Sequence, residues 1–197
     1  MPAPPFVGLT GGIGAGKSEA LAALERLGAR TISADAVVHE LYRDPEVVAA
    51  VTARWGDEVA PGGTVDRSAV AGRAFGDPDE RAWLEGLIWP KVGERIAEWR
   101  AVESQRDPAP PALVVETPLL FEAGLEAAYD ATIAVVADEA VRAERAAARG
   151  HEAVDERTAR QLSQQQKADR ATYAVHNSGP IEELEDKLSD VLGKLNR

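Results

Sequence analysis

Between Phe6 and Leu24 the chain reads FVGLTGGIGAGKSEALAAL. An apolar run meets four glycines and a lysine, then passes into an alanine- and leucine-rich stretch of helical composition. A short continuous apolar run fits a strand covered on both faces, as parallel strands are. Glycine carries no Cβ, so a chain rich in it can take positive φ and turn its N–H groups inward around an anion. The helix that follows adds unpaired N–H donors and the positive end of its dipole. Gly11 to Ser18 fits G-x-x-x-x-G-K-[ST] between a predicted strand and a predicted helix. The stretch is therefore expected to cradle the phosphates of a nucleoside triphosphate. Lys17 would reach the β- and γ-phosphates, and the Ser18 hydroxyl would hold Mg²⁺.

Four further strand-like runs follow: RTIS (30–33), ALVVE (112–116), ATIAVVA (131–137) and TYAVH (172–176). Helical patterns lie between them, as in 18–28, where Gly28 is a plausible stop. The order predicts an α/β protein with the P-loop NTPase fold, a five-stranded parallel sheet carrying helices on both faces. From about Ala36 to Pro111 no strand pattern appears, and all four tryptophans (Trp55, Trp83, Trp89, Trp99) fall there. This stretch reads as a helical insertion ending at the proline-rich RDPAPPA. Its tryptophans serve either as a small core or as the lining of a ligand cleft. Residues 138–170 mix many acids with arginines (142, 145, 149, 157, 160, 170) and Lys167. On composition they read as a solvated helical pair rich in i,i+4 ion pairs; a lid carrying arginines over a phosphate is the other reading.

The net charge of −11 argues against a general nucleic-acid binder. It leaves room for a local positive cleft. Absence of cysteine excludes disulfides and thiolate metal sites. No run approaches the ~20 apolar residues of a membrane span. The N-terminus has no basic region of a signal peptide, so a cytoplasmic protein is expected. Among proteins that use this motif, a GTP switch would need N-K-x-D, which is absent. A small-molecule kinase of about this length fits best. A nucleotide or nucleoside kinase and a non-enzymatic ATP-binding regulator remain alternatives. Asp35 follows the strand at 30–33, and ligands of such sheets bind beyond the carboxyl ends of the strands. It can accept a proton from an acceptor hydroxyl, cap the following helix, or do both. His39, one turn on, can face the same cleft or simply pack.

GLTGGIGAGKS, ISADAVVHEL, PLLFE and HNSG occur in this order along nearly the whole chain, and together they resemble the dephospho-coenzyme A kinase family. The resemblance implies transfer of the γ-phosphate of ATP to the ribose 3′-hydroxyl of dephospho-CoA, with Mg²⁺. It implies a nucleotide-binding core (1–35, 112–137, 171–197), a CoA-binding insertion (36–111) and a lid (138–170). Asp35, Lys17 and Arg145 would be catalytic. Gly11, Gly12, Ile13, Gly14, Ala15, Gly16, Lys17, Ser18, Glu19, Arg149 and Asn177 would hold the nucleotide, and His39, Trp89, Pro90 and Leu119 the acceptor. Glu116 matches an acid that often precedes P-L-L in the family. Three positions depart from its usual pattern. Ser33 replaces the first acid of D-A-D, Trp89 the histidine of His-Pro, and His176 the acid before N-S-G.

Overall fold

The computed structural model describes residues 3–148 and 161–197. The chain forms two compact units, one from residues up to Ser33 together with Arg100 onward, the other Ala34–Trp99. The first unit holds a five-stranded sheet of order β2-β3-β1-β4-β5, parallel at each pairing. Its strands are β1 (Phe6–Gly11), β2 (Arg30–Ser33), β3 (Leu113–Glu116), β4 (Ala131–Val136) and β5 (Tyr173–His176). Every residue of β1, β3 and β4 is buried, which is why their sequences show continuous rather than alternating hydrophobicity.

Helices cover both faces of the sheet. Val7, Leu9, Val114, Ile133 and Val135 pack with α1 (Lys17–Arg26) and the C-terminal helix Ile181–Leu195, whose Leu184, Leu188, Val191 and Leu192 join the same core. α1 ends as its sequence predicts. Gly28 takes φ +91°, its N–H donates to Glu25 O, and the Ala29 N–H donates to Leu24 O. That is a Schellman stop, satisfying carbonyls the last turn leaves open. On the opposite face Gly8 leaves room for neighbours: a Cβ there would stand 2.4 Å from Leu120 Cδ1 and 2.9 Å from Tyr129 Cδ2.

In the second unit, α2 (Ala34–Leu41), α3 (Pro45–Trp55), α4 (Arg67–Phe75) and most of α5 (Pro78–Glu103) gather around Val47, Val51, Trp55, Val59 and Val70. Asp44 caps α3 through the Glu46 N–H, with Pro45 opening the helix, and Asp66 caps α4 through the Ser68 and Ala69 N–H groups. Trp55 packs edge-on against Trp83 with centroids 5.0 Å apart. Its Nε1–H donates to Glu80 Oε2 at 2.6 Å, and Arg54 grips the same carboxylate with two N–H groups at 2.8 and 3.0 Å. These two tryptophans are packing residues, whereas Trp89 is 54% exposed.

The second unit ends at Trp99, before the proline-rich stretch, while α5 runs on to Glu103 with residues 100–103 belonging to the first unit. There Arg100 lies over the Phe6 ring at 4.1 Å, and buried Glu103 accepts from Arg30 at 2.8 Å and from Arg106. The expected lid, 138–170, falls partly outside the described residues. α6 (Glu139–Ala148) follows β4, residues 149–160 lie outside the described residues, and α7 (Gln164–Arg170) packs on β4. The Gln164 side chain both donates to and accepts from the backbone of Ala137. Lys167, read from composition as one charge of a solvated face, is fully buried. Its ammonium donates to Pro118 O at 2.6 Å and pairs with Glu122 Oε1 at 2.9 Å, which also accepts the Leu162 N–H. A lysine can be buried this way only because a carboxylate and a carbonyl replace its water.

Two expectations follow. Lys167→Met strands Glu122 and should cost about 3–5 kcal/mol in denaturant unfolding. Arg26→Gln, which breaks the exposed Arg26–Glu185 pair, should cost at most about 1 kcal/mol. Pairing Lys167→Met with Glu122→Leu should recover much of the loss; equal effects from Lys167→Met and Arg26→Gln would contradict the buried-pair account. The second concerns acid. Hydrogen bonds from Arg54 and then Trp55 hold the Glu80 carboxyl below the usual carboxylate range. Its contribution is fully present above the ordinary glutamate pKa and is lost as pH falls through the lowered folded value. Because every tryptophan lies in Ala34–Trp99, acid unfolding followed by tryptophan fluorescence should show this loss in the wild type, and Glu80→Gln should lack that component.

Candidate active site

β1 ends in the centre of the sheet, and its last residue begins the glycine loop. Gly14 (φ +75°) and Gly16 (φ +89°) take the left-handed conformations that turn the chain back toward α1. Gly16 is the N-cap of α1 and offers no side-chain cap, so the first N–H groups of the helix are left for an anion. A side chain at Gly11 would run into Val135 O at 2.5 Å, and one at Gly16 into Asn177 Nδ2 at 2.1 Å. The glycines are thus required by close approach as well as by φ.

The outward side of the loop is held by side chains. Lys17 Nζ donates to Gly11 O at 3.1 Å and Gly12 O at 3.2 Å. Arg142 Nε, from the first half of α6, donates to Ile13 O at 3.0 Å. Asn177, 2% exposed just past β5, donates from Nδ2 to Ala15 O at 3.1 Å and to Glu19 Oε2 at 3.3 Å. Arg145 closes the ring, with Nη1 donating to Asn177 O at 2.9 Å and Nη2 3.8 Å from Glu19 Oε2. Gly11 through Glu19, Arg145 and Asn177 are therefore brought together. Ser18, the second residue of α1, is exposed. Arg149 lies outside the described residues.

Glu116 stands at the carboxyl end of β3, opposite Leu9 of β1 and Ser33 of β2, and is nearly buried. The turn that follows is pinned on Pro118 O, which accepts from Thr10 Oγ1 at 3.2 Å as well as from Lys167. Leu119 projects from that turn, 41% exposed. Burial pushes the Tyr129 phenol up, so it stays protonated beside the Thr117 hydroxyl, 3.1 Å away.

The remaining predicted residues belong to the second unit. Asp35 is not an N-cap: α2 already begins at Ala34, placing Asp35 in its first turn with an exposed side chain. A carboxylate there still complements the helix dipole. His39, four residues on and on the same face, is exposed and within 3.2 Å of Arg43 Nη2. Trp89 and Pro90 are both exposed on α5.

Arg142 was not singled out by the sequence reading. A signal existed in the spacing of Arg142 and Arg145, i and i+3, which puts both on one side of a helix. The role of Lys167 had no comparable signal, because its partner Glu122 lies 45 residues away in sequence.

The chain matches the dephospho-CoA kinase family over residues 5–183. It is 40% identical over 195 residues to the dephospho-CoA kinase of Deinococcus radiodurans, covering 98% of this chain and 93% of that protein. Among solved structures it resembles a Thermus thermophilus protein with a TM-score of 0.81 and 32% identity, over 98% of this chain and 99% of the other. Shikimate kinase of Aquifex aeolicus shares the fold, with a TM-score of 0.51 and 16% identity over 96% of each chain. A glycine loop on the central strand of a P-loop kinase sheet is thus joined to family likeness along almost the entire length, and the chain belongs to the dephospho-CoA kinase family.

Proposed function

We propose that this chain transfers the γ-phosphate of ATP to the ribose 3′-hydroxyl of dephospho-CoA, giving coenzyme A and ADP. The observation that carries this reading is the Gly11–Ser18 loop, whose carbonyls are taken up from behind while its helix opens without a side-chain cap. Family membership supplies the acceptor. The loop and Lys17 would hold the β- and γ-phosphates. Arg145, one helical turn past the loop's brace Arg142, would offset the charge spreading over the γ-oxygens.

Mg²⁺ fits the oxygen donors present, the Ser18 hydroxyl and the Glu116 carboxylate. Among the described residues no cluster of three or more acidic or histidine side chains forms a cage. That suits an ion usually bound by one or two protein oxygens plus phosphates and water. When bound, it would offset negative charge on the phosphates. Asp35, two residues beyond the carboxyl end of β2, would orient the 3′-hydroxyl and accept its proton. By family likeness His39, Trp89, Pro90 and Leu119 would hold the acceptor. Among the described residues no helix is long and apolar enough to cross a membrane, in keeping with work on dissolved substrates in the cytoplasm.

Coupled ADP release should be fast with dephospho-CoA and near background with AMP, CMP or no acceptor. Faster release with AMP or CMP would make this a nucleotide kinase, and none with any acceptor would point to an ATP-binding regulator. Asp35→Asn keeps the side-chain size but removes the charge and the proton acceptor. It should lower kcat by at least about 10², with KM for ATP little changed and the melting temperature preserved. A near-normal kcat would remove Asp35 from the chemistry.

A further inference from the structure

The peptide unit is planar and trans, so a carbonyl and the next residue's N–H point in opposite directions. Fixing the direction of one therefore fixes the other. In the glycine loop this turns every outward carbonyl contact into an inward donor. Lys17 on Gly11 O and Gly12 O aims the amides of Gly12 and Ile13, and Asn177 on Ala15 O aims that of Gly16. The Ile13–Gly14 peptide is only loosely constrained by its own residues, because Gly14 has φ +75° and glycine tolerates a flipped plane at small cost.

Arg142 holds that peptide. Its Nε donates to Ile13 O at 3.0 Å, and its Nη1 is anchored on Glu139 Oε2 at 2.7 Å. The guanidinium lies against Gly12, where a Cβ would stand 3.4 Å from Nη2. The backbone of Arg142 also backs the loop: a Cβ on Gly14 would stand 2.5 Å from Arg142 O. Arg142 N–H donates to Asp138 O at 2.9 Å, so the brace sits in the first turn of α6, directly after β4. Its side chain is 20% exposed, and two of its nitrogens are already committed to Ile13 and Glu139.

We infer that Arg142 is a positioning residue for nucleotide binding, which holds the Ile13 carbonyl outward so that the Gly14 N–H faces the phosphates. The inference rests on the reading of the loop as the ATP site. It assigns Arg142 a role different from that of Arg145. A brace preorganises donors used in the ground state and the transition state alike, so it changes affinity; a group acting on the phosphoryl in flight changes kcat. The same brace links the set of the loop to the first turn of α6.

The test is calorimetric titration of Arg142→Gln and Arg142→Lys with ATP and, separately, ADP in the absence of acceptor, followed by steady-state kinetics. Arg142→Gln should weaken both nucleotides by a similar factor of about tenfold, the scale of one charge-assisted hydrogen bond. The loss should appear in KM for ATP, with kcat and KM for dephospho-CoA within about threefold of wild type. Arg142→Lys, which keeps the charge and one donor on a flexible stem, should recover part of the loss. Glu139→Gln, which frees the guanidinium without removing it, should weaken both nucleotides less than Arg142→Gln. Unchanged affinity in Arg142→Gln, with an unchanged melting temperature, would overturn the inference. A loss confined to kcat would also overturn it, placing Arg142 with the groups that act on the γ-phosphate. If wild type itself bound neither nucleotide, the reading of the loop as the ATP site would fall, and with it the inference.

Discussion

The planarity of the peptide units between Gly11 and Gly16 is the constraint on which the site depends. A loop can point its N–H groups at an anion only if its carbonyls have somewhere else to go, and a buried carbonyl without a partner is costly. Here the carbonyls of Gly11, Gly12, Ile13 and Ala15 are received by Lys17, Arg142 and Asn177. The strand order makes this possible. β1 is central, so the segments after β4 and β5 reach the loop from one side and supply Arg142, Arg145 and Asn177. On the other side β3 brings Glu116 to its carboxyl end, and β2 leads the chain on to Asp35. One half of the sheet shapes the cradle; the other ends in Glu116.

A similar junction lies behind the loop. Thr10 of β1 and Lys167 of α7 converge on one carbonyl, Pro118 O, and Glu122 ties Lys167 to the chain re-entering at Leu162. Two segments distant in sequence, β1 and residues 162–167, are thereby held on a single turn. The junction is charged and buried, which makes it intolerant of losing one member.

Much of this was legible in the sequence because its causes are local. The strands at 6–10, 30–33 and 131–137, the loop and the Gly28 stop are written in residues that contact their sequence neighbours. What was not legible depends on partners far along the chain. Lys167 looks like any surface lysine until Glu122 and Pro118 are placed beside it. Arg142 looks like one of several lid arginines until β4 is seen next to β1. The insertion was closed at RDPAPPA because that is a strong linker signal; the partners of Arg100 and Glu103, Phe6 and Arg30, are ones that only the sheet brings near. Asp35 was offered as a cap since acids favour that position; the helix starts one residue earlier.

The cations gathered at the loop sit on a molecule whose net charge is −11. A ligand carrying several phosphate charges is thus repelled by the protein as a whole and drawn in only close to Lys17, Arg142 and Arg145. Mobile ions separate these two influences by distance. At physiological ionic strength the screening length is about 8 Å, so most of the molecule's field is hidden while contacts inside the cradle persist. In dilute buffer the same protein would present its acidic face first. Salt, which weakens many polyanion receptors from the first addition, here first removes an obstacle to arrival.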